Sequence, residues 1–416
     1  MSVGRVIPQV ASVGDPARKR RGTGGKWSMS ASLALVGIVL AAATMRGPLT
    51  SVGPVLETIR SQTGLSPTGV GVLSMLHLLA FAAVSPIAPA VGRRIGLERA
   101  IGVSLAVLVA GITLRSGPQT AMLFAGTALI GIAIGMMNVL LSGLIKRDYP
   151  NRVTMLTGLY TTVMGAFAMI GSGIAVPLAE AAPGGWRTSL VVWVALAAIA
   201  LVAWLLRAPR QSSVPGAVMG QPGAAGRGHW SSPLAWQLTA YFGLQSLGFY
   251  VAVSWLPTIL QHRGVEATTA GWHVALMLLT GLLASAASPF IVRRLPDQRL
   301  FAFSAAVLGV LSYTGLVIAP ELSLVWSATV GLSQGAGITL ALSFFALRAR
   351  DAQQAAKLSG MGQSLGYLLA AFGPLLFGVL RDRTGDWEIP LVVLAALIAT
   401  QAVMALGAGR ARRIDS

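Results

Sequence analysis

Long uncharged stretches recur along this 416-residue chain, and they constrain its fold more than any other feature. A helix rises 1.5 Å per residue, so about 20 apolar residues are needed to cross the hydrocarbon core of a bilayer. Windows of that kind fall at 30–56, 67–91, 98–116, 119–145, 153–180, 187–207, 234–260, 269–292, 299–318, 322–347, 357–380 and 388–408. They are numbered here as segments 1 to 12. Charged residues make up 11% of the chain, against roughly 25% in a soluble domain, and cannot cover an aqueous surface. The expected fold is all-α and integral to the membrane, with lipid as the solvent. A soluble enzyme is excluded.

The flanks read differently. Residues 1–28 set Arg5, Arg18, Lys19, Arg20, Arg21 and Lys26 among Gly, Ser and Pro, the composition of a basic disordered tail. Segment 1 is too long for a leader h-region and lacks a small-x-small cleavage motif, so it is expected to stay. Residues 208–233, rich in Gly, Pro, Ser and Gln, form the longest connection and read as a flexible linker. They divide the chain into halves at 29–207 and 234–408, with 409–416 as a second short tail.

A formal charge of +18 would suit a nucleic-acid binder, but its placement gives another cause. With the N-terminus in the cytoplasm, 24 of the 31 Lys and Arg fall in tails and loops on that side. Arg60, Arg115, Arg187, Arg263, Arg381 and Arg383 fall in loops on the other, and Arg46 falls within segment 1. The positive-inside rule then places both termini in the cytoplasm of a multi-pass inner-membrane protein. No nucleic acid is required. The absence of cysteine excludes disulfides, thiolate metal sites and cysteine nucleophiles. The four histidines (77, 229, 262 and 273) are scattered, so neither a metal nor a cofactor is expected.

The two halves resemble each other. "GLSPTGVG" from Gly64 and "GVEATTAG" from Gly264, Pro89 and Pro289, and "RRIGLER" (93–99) and "RRLPDQR" (293–299) all share an offset of 200. "GGWRTSLVVW" (184–193) recurs as "GDWEIPLVVL" (385–394), one residue further on. Six segments plus six in one orientation imply a pseudo-two-fold axis along the membrane normal, the parallel-repeat plan of one transporter class.

At this level the chain resembles a major facilitator superfamily transporter and, more narrowly, the cyanate/nitroimidazole transporter family within it. The resemblance rests on "RGPLTSVGPVL" (46–56), "GMMNVLLSGLIKRDYPNR" (135–152), "TGLYTT" (157–162), "AVPLAE" (175–180), "WQLTAYFGLQSLGFYVAVSWLPTIL" (236–260) and "LSGMGQSLGYLLAAFGPLLFG" (358–378). It implies two six-helix bundles with segments 1, 4, 7 and 10 lining a central cavity. Two positions depart from the pattern. Arg93 stands where the loop after segment 2 usually has Asp, and Ser142 stands where segment 4 commonly has Pro.

Arg46 is the residue least expected in its setting. A charge near the bilayer centre costs about 2.5–3.5 kcal/mol on insertion scales, so it should face a cavity or a partner. Pro48 removes a backbone donor and Gly47 loosens the same turn, which predicts a kink there. None of the 13 acids lies near the centre of a segment; Glu57, at the outer end of segment 1, comes closest. Arg46 is thus left without a permanent counter-ion and suits an anionic or strongly polar ligand. Pairing Pro54 with Pro257 sets Phe249 opposite it in the second half.

Asn138, Gln245, Tyr250, Trp255 and Gln334 on the cavity-lining segments, with Tyr160, Gln363 and Tyr367 from segments 5 and 11, complete the candidate substrate set. His77 and Glu57 are candidates for proton coupling. Arg93, Arg94 and Arg99, with Arg293, Arg294 and Arg299, mark the equivalent cytoplasmic gate loops.

The sequence therefore predicts a monomeric secondary transporter, whose partners are a small solute and the lipid bilayer. The solute is expected to be small, polar, and planar or anionic. The alternative is a proton-coupled exporter of larger lipophilic drugs, with a greasier cavity and indifference to Arg46.

Overall fold

The computed structural model describes residues 29–149, 152–206, 232–350 and 352–410. The tail at 1–28, all but the end of the 208–233 linker, and residues 411–416 lie outside the described residues. Within them the chain is helical, without strands. Twelve spans are long and apolar enough to cross a membrane. Helices 1 to 6 cover Leu35–Thr63, Pro67–Val84, Leu97–Arg115, Thr120–Asp148, Met155–Ala181 and Trp186–Leu205. Helices 7 to 12 cover Pro233–His262, Ala267–Val292, Arg299–Ile318, Pro320–Phe345, Leu358–Thr384 and Glu388–Ala408.

Proline shapes the first two spans. Helix 1 breaks at Thr44–Arg46, resumes as Gly47–Thr50, tightens into a 3₁₀ turn at Gly53–Val55, and continues as Leu56–Thr63. Pro48 and Pro54 each lack the N–H that an unbroken helix would use there. Segment 2 was expected to run to residue 91, but its helix ends at Val84, and the turn holding Pro86 separates it from a short helix, Ala88–Ile95. By contrast, Pro177, Pro257, Pro289 and Pro374 sit inside continuous helices.

Packing follows the repeat. Helix 3 packs on helix 4 as helix 9 does on helix 10, and helix 2 on helix 4 as helix 8 does on helix 10. The halves meet through helix 2 against helix 11 and helix 5 against helix 8, pairs that exchange under a two-fold rotation. The same symmetry appears in single residues. Arg147 at the end of helix 4 pairs with Glu98 at the start of helix 3. Arg348, just past helix 10, donates to Gln298 Oε1 at 2.7 Å, just before helix 9.

Hydrogen bonds between the halves include Ser172 Oγ to the Gly271 carbonyl (3.3 Å), Gln261 Nε2 to the Pro54 carbonyl (3.3 Å), and the Thr68 amide to Asp382 Oδ2 (2.8 Å). All three lie in the half of the molecule away from the arginine-rich loops.

Candidate functional site

The break in helix 1 builds the site. Arg46 caps the short helix Gly47–Thr50 and is only half-buried, because its side chain reaches a cavity instead of packing into the bundle. Gly47 permits the bend: a Cβ there would stand 2.4 Å from the Trp193 ring on helix 6. Thr50 ties the segment to helix 5 through a 2.8 Å hydrogen bond to the Ala168 carbonyl.

The cavity encloses about 650 Å3, counting the part open to solvent. Helix 1 supplies Arg46, Leu49, Thr50, Val52, Gly53 and Leu56; helix 2 supplies Leu73, Ser74 and His77; helices 3 and 4 supply Arg115, Leu123 and Thr127. Helix 7 completes it with Phe249, Tyr250, Val253 and Ser254. The mouth is thus formed by both halves, and its walls are apolar around two guanidinium groups.

Arg46 lies against the Tyr250 phenol, with Tyr160 and Tyr367 close enough to feel its charge. Among the described residues, ion pairs join Arg60 to Glu57, Arg147 to Glu98 and Asp148, and Arg299 to Asp297; Arg46 takes part in none of these. Tyr250 is edge-on to Phe249 (5.3 Å) and faces His77 across the cavity (6.0 Å). Phe249 lines the same cavity as Arg46 and adds aromatic surface without charge.

Other candidates are placed elsewhere. Gln245, 2% exposed, donates to the Gln334 carbonyl (2.9 Å) and Oε1 (2.5 Å) and accepts from Gln401 Nε2 (2.6 Å). Gln334 Nε2 in turn donates to the Tyr313 hydroxyl at 3.3 Å. These glutamines therefore join helices 7, 10, 12 and 9 inside the second bundle and do not line the cavity. The expectation placed them by type and helix number, but helix rotation turns them inward.

Trp255 is likewise buried, donating to the Pro374 carbonyl (2.9 Å) and packing on Trp387 (5.1 Å). Gln363 bonds Ser359 Oγ one turn away (2.6 Å), and neither it nor half-buried Asn138 lines the cavity. Glu57 is held by Arg60 Nε, 3.0 Å from each carboxylate oxygen, at the rim. It does not face the cavity with His77. Arg93, Arg94, Arg99, Arg293, Arg294 and Arg299 are all exposed; Arg93 and Arg94 lie on the short helix Ala88–Ile95, Arg99 and Arg299 in the first turns of helices 3 and 9, and Arg293 and Arg294 in the connection between helices 8 and 9.

One residue was missed. Charge counting assigns Arg115 to a loop, yet it is 1% exposed and lines the cavity. Its Nη1 donates to the Pro48 carbonyl at 2.6 Å, so the same break that frees Arg46 also anchors Arg115. The repeat carried a signal. At offset 200, Arg115 and Gly126 correspond to Gly315 and Trp326: Gly126 lets the Arg115 backbone come close, and Gly315 admits the Trp326 ring. A Cβ on Gly126 would lie 2.3 Å from the Arg115 amide, and one on Gly315 would lie 2.4 Å from the Trp326 ring.

Residues 33–374 match the description of the Major Facilitator Superfamily. The chain belongs to that superfamily. Among curated relatives, the 2-nitroimidazole transporter of Escherichia coli (strain K12) is 42% identical over 381 residues, covering 91% of this chain and 96% of the relative. The cyanate transport protein CynX of the same strain is 27% identical over 373 residues, with coverage of 88% and 96%. The narrower resemblance read from the motifs is thus present in the comparison. The crystal structure of the nucleoside transporter NupG aligns with a TM-score of 0.77 at 12% identity, covering 90% of this chain and all of that one, and so shares the fold. This major facilitator protein is a multi-pass membrane transporter and not an enzyme.

Proposed function

We propose that this transporter moves a small, planar, polar or anionic solute, cyanate- or nitroimidazole-like, across the cytoplasmic membrane, and that Arg46 holds it. The observation that carries the reading is a guanidinium in a cavity between the halves, backed by the Tyr250 phenol and paired to no carboxylate among the described residues. A fixed positive charge among apolar and aromatic walls favours a flat ligand with negative charge or a strong dipole. Relatives named for 2-nitroimidazole and cyanate transport support the class.

The bias of 24 basic residues to one side supports a cytoplasmic location for both termini. The bonds between the halves then sit on the outer side, so the two bundles are closed there. Rocking about the cavity exchanges that closure for one on the inner side. Tyr250 borders the ligand, Tyr160 and Tyr367 lie near Arg46 but outside the cavity lining, and His77 is the remaining candidate for coupling.

Counterflow in proteoliposomes tests the reading, with labelled cyanate, 2-nitroimidazole and a lipophilic dye as solutes. Exchange of either small solute, lost in Arg46→Gln, is expected. Dye exchange that tolerates Arg46→Gln would instead favour a drug exporter.

A further inference from the structure

Arg115 is more deeply buried than Arg46, and its burial leaves a specific part of the guanidinium unsatisfied. Nη1 is engaged by the Pro48 carbonyl. Nε and Nη2 are sealed from solvent and have no acceptor among the described residues. A guanidinium is rigid and planar, and its Nε–H and Nη2–H leave one edge nearly parallel, spaced to meet two oxygens of one flat group. So one nitrogen is anchored, and the adjacent two-donor edge is whole. The anchor alone would serve packing, and a lysine could supply it.

A buried cation with two unmet donors is strongly unfavourable, and no carboxylate among the described residues pairs with it. Arg115 also helps to line the cavity, so a small displacement of that wall is what opens the sealed edge to a solute held there. We infer that the Nε/Nη2 edge of Arg115 is a second anion-binding point, selective for flat groups with two acceptor oxygens. A carboxylate, nitrite or a nitro group satisfies both donors at once. Rod-shaped cyanate or a spherical halide presents a single acceptor. The inference rests on the reading of this cavity as the transport site, and adds a ranking that Arg46 by itself does not give.

The test titrates the melting midpoint of the purified full chain with sodium acetate, nitrite, cyanate and bromide, each replacing chloride at constant ionic strength. Acetate and nitrite should bind about tenfold more tightly than cyanate and bromide, one unmet charged donor being the difference. Arg115→Lys keeps the charge and the anchor, and should bring the four anions within about twofold of one another. Arg46→Gln should weaken all four.

Equal binding of all four by the wild type, or an unchanged ranking in Arg115→Lys, would overturn the inference. The wild-type ranking decides the matter even if the variant does not fold. Loss of the ranking in Arg115→Lys with Arg46→Gln silent would sink the Arg46 reading and leave this one. Uniform anion binding that Arg46→Gln abolishes would do the reverse, and an absence of anion binding in the wild type would sink both.

Discussion

Replacing Gln245 with leucine separates a ligand-binding role from an architectural one. In the structure Gln245 gives two hydrogen bonds to Gln334 and receives one from Gln401. Interhelical hydrogen bonds in membranes average about 0.6 kcal/mol each and reach about 1.7. Leaving the Gln401 amide and the Gln334 side chain unpaired in a buried site adds roughly 1–3 kcal/mol. Gln245→Leu should therefore destabilise the second bundle by about 3 kcal/mol. A fall of several degrees in the melting midpoint in detergent would report it.

The substrate KM, measured at a temperature where the variant is folded, should stay within about twofold of wild type, because Gln245 does not line the cavity. The double variant Gln245→Leu/Gln401→Leu should recover part of the loss, since it removes an orphaned amide with its partner. An unchanged melting midpoint with a large rise in KM would refute the reasoning and return Gln245 to the substrate site.

Two further outcomes follow from the same geometry. Asp382→Ala removes the acceptor that bridges to the Thr68 amide and hydroxyl at the outer closure. An exposed bond of this kind is worth about 1 kcal/mol, so the outward-open population should rise roughly fivefold. The chain has no cysteine, so a single Ser254→Cys in the cavity wall reads this as the rate of labelling by an impermeant thiol reagent from outside. An unchanged rate would count against the bridge as a latch. Glu57→Gln should leave the pH profile of transport unaltered and change stability by no more than about 1 kcal/mol, since Glu57 is engaged with Arg60 in a part-exposed pair. A shifted pH profile would show that Glu57 carries coupling protons after all.

What the sequence made legible was mostly local. The break at Gly47-Pro48 follows from a missing N–H, and the spans from their length in apolar residues. The Glu57–Arg60 pair follows from spacing of three on a helix, although it was not drawn from it. Arg46 was identifiable because no neighbour in sequence could neutralise it.

What escaped depended on rotation and tilt, which packing between distant segments decides. Gln245, Gln334 and Trp255 have the chemistry of ligand groups, but Gln245 points at helices 10 and 12, Gln334 at helices 7 and 9, and Trp255 at helix 11. Arg115 ends an apolar window, where a loop residue and a buried one look alike. Its depth is set by Gly126 on helix 4 and the Pro48 carbonyl on helix 1. The swapped small and large residues at offset 200 were the only trace of this in the sequence.

The central claim is that Arg46 meets the solute inside the cavity, and equilibrium binding to purified Arg46→Gln and Arg46→Lys tests it most directly. The account predicts that anion-induced stabilisation is strongly weakened in Arg46→Gln and largely kept in Arg46→Lys, with both variants folded and melting as wild type in the absence of ligand. Undiminished stabilisation in Arg46→Gln would contradict it and make Arg46 a structural residue of the broken helix.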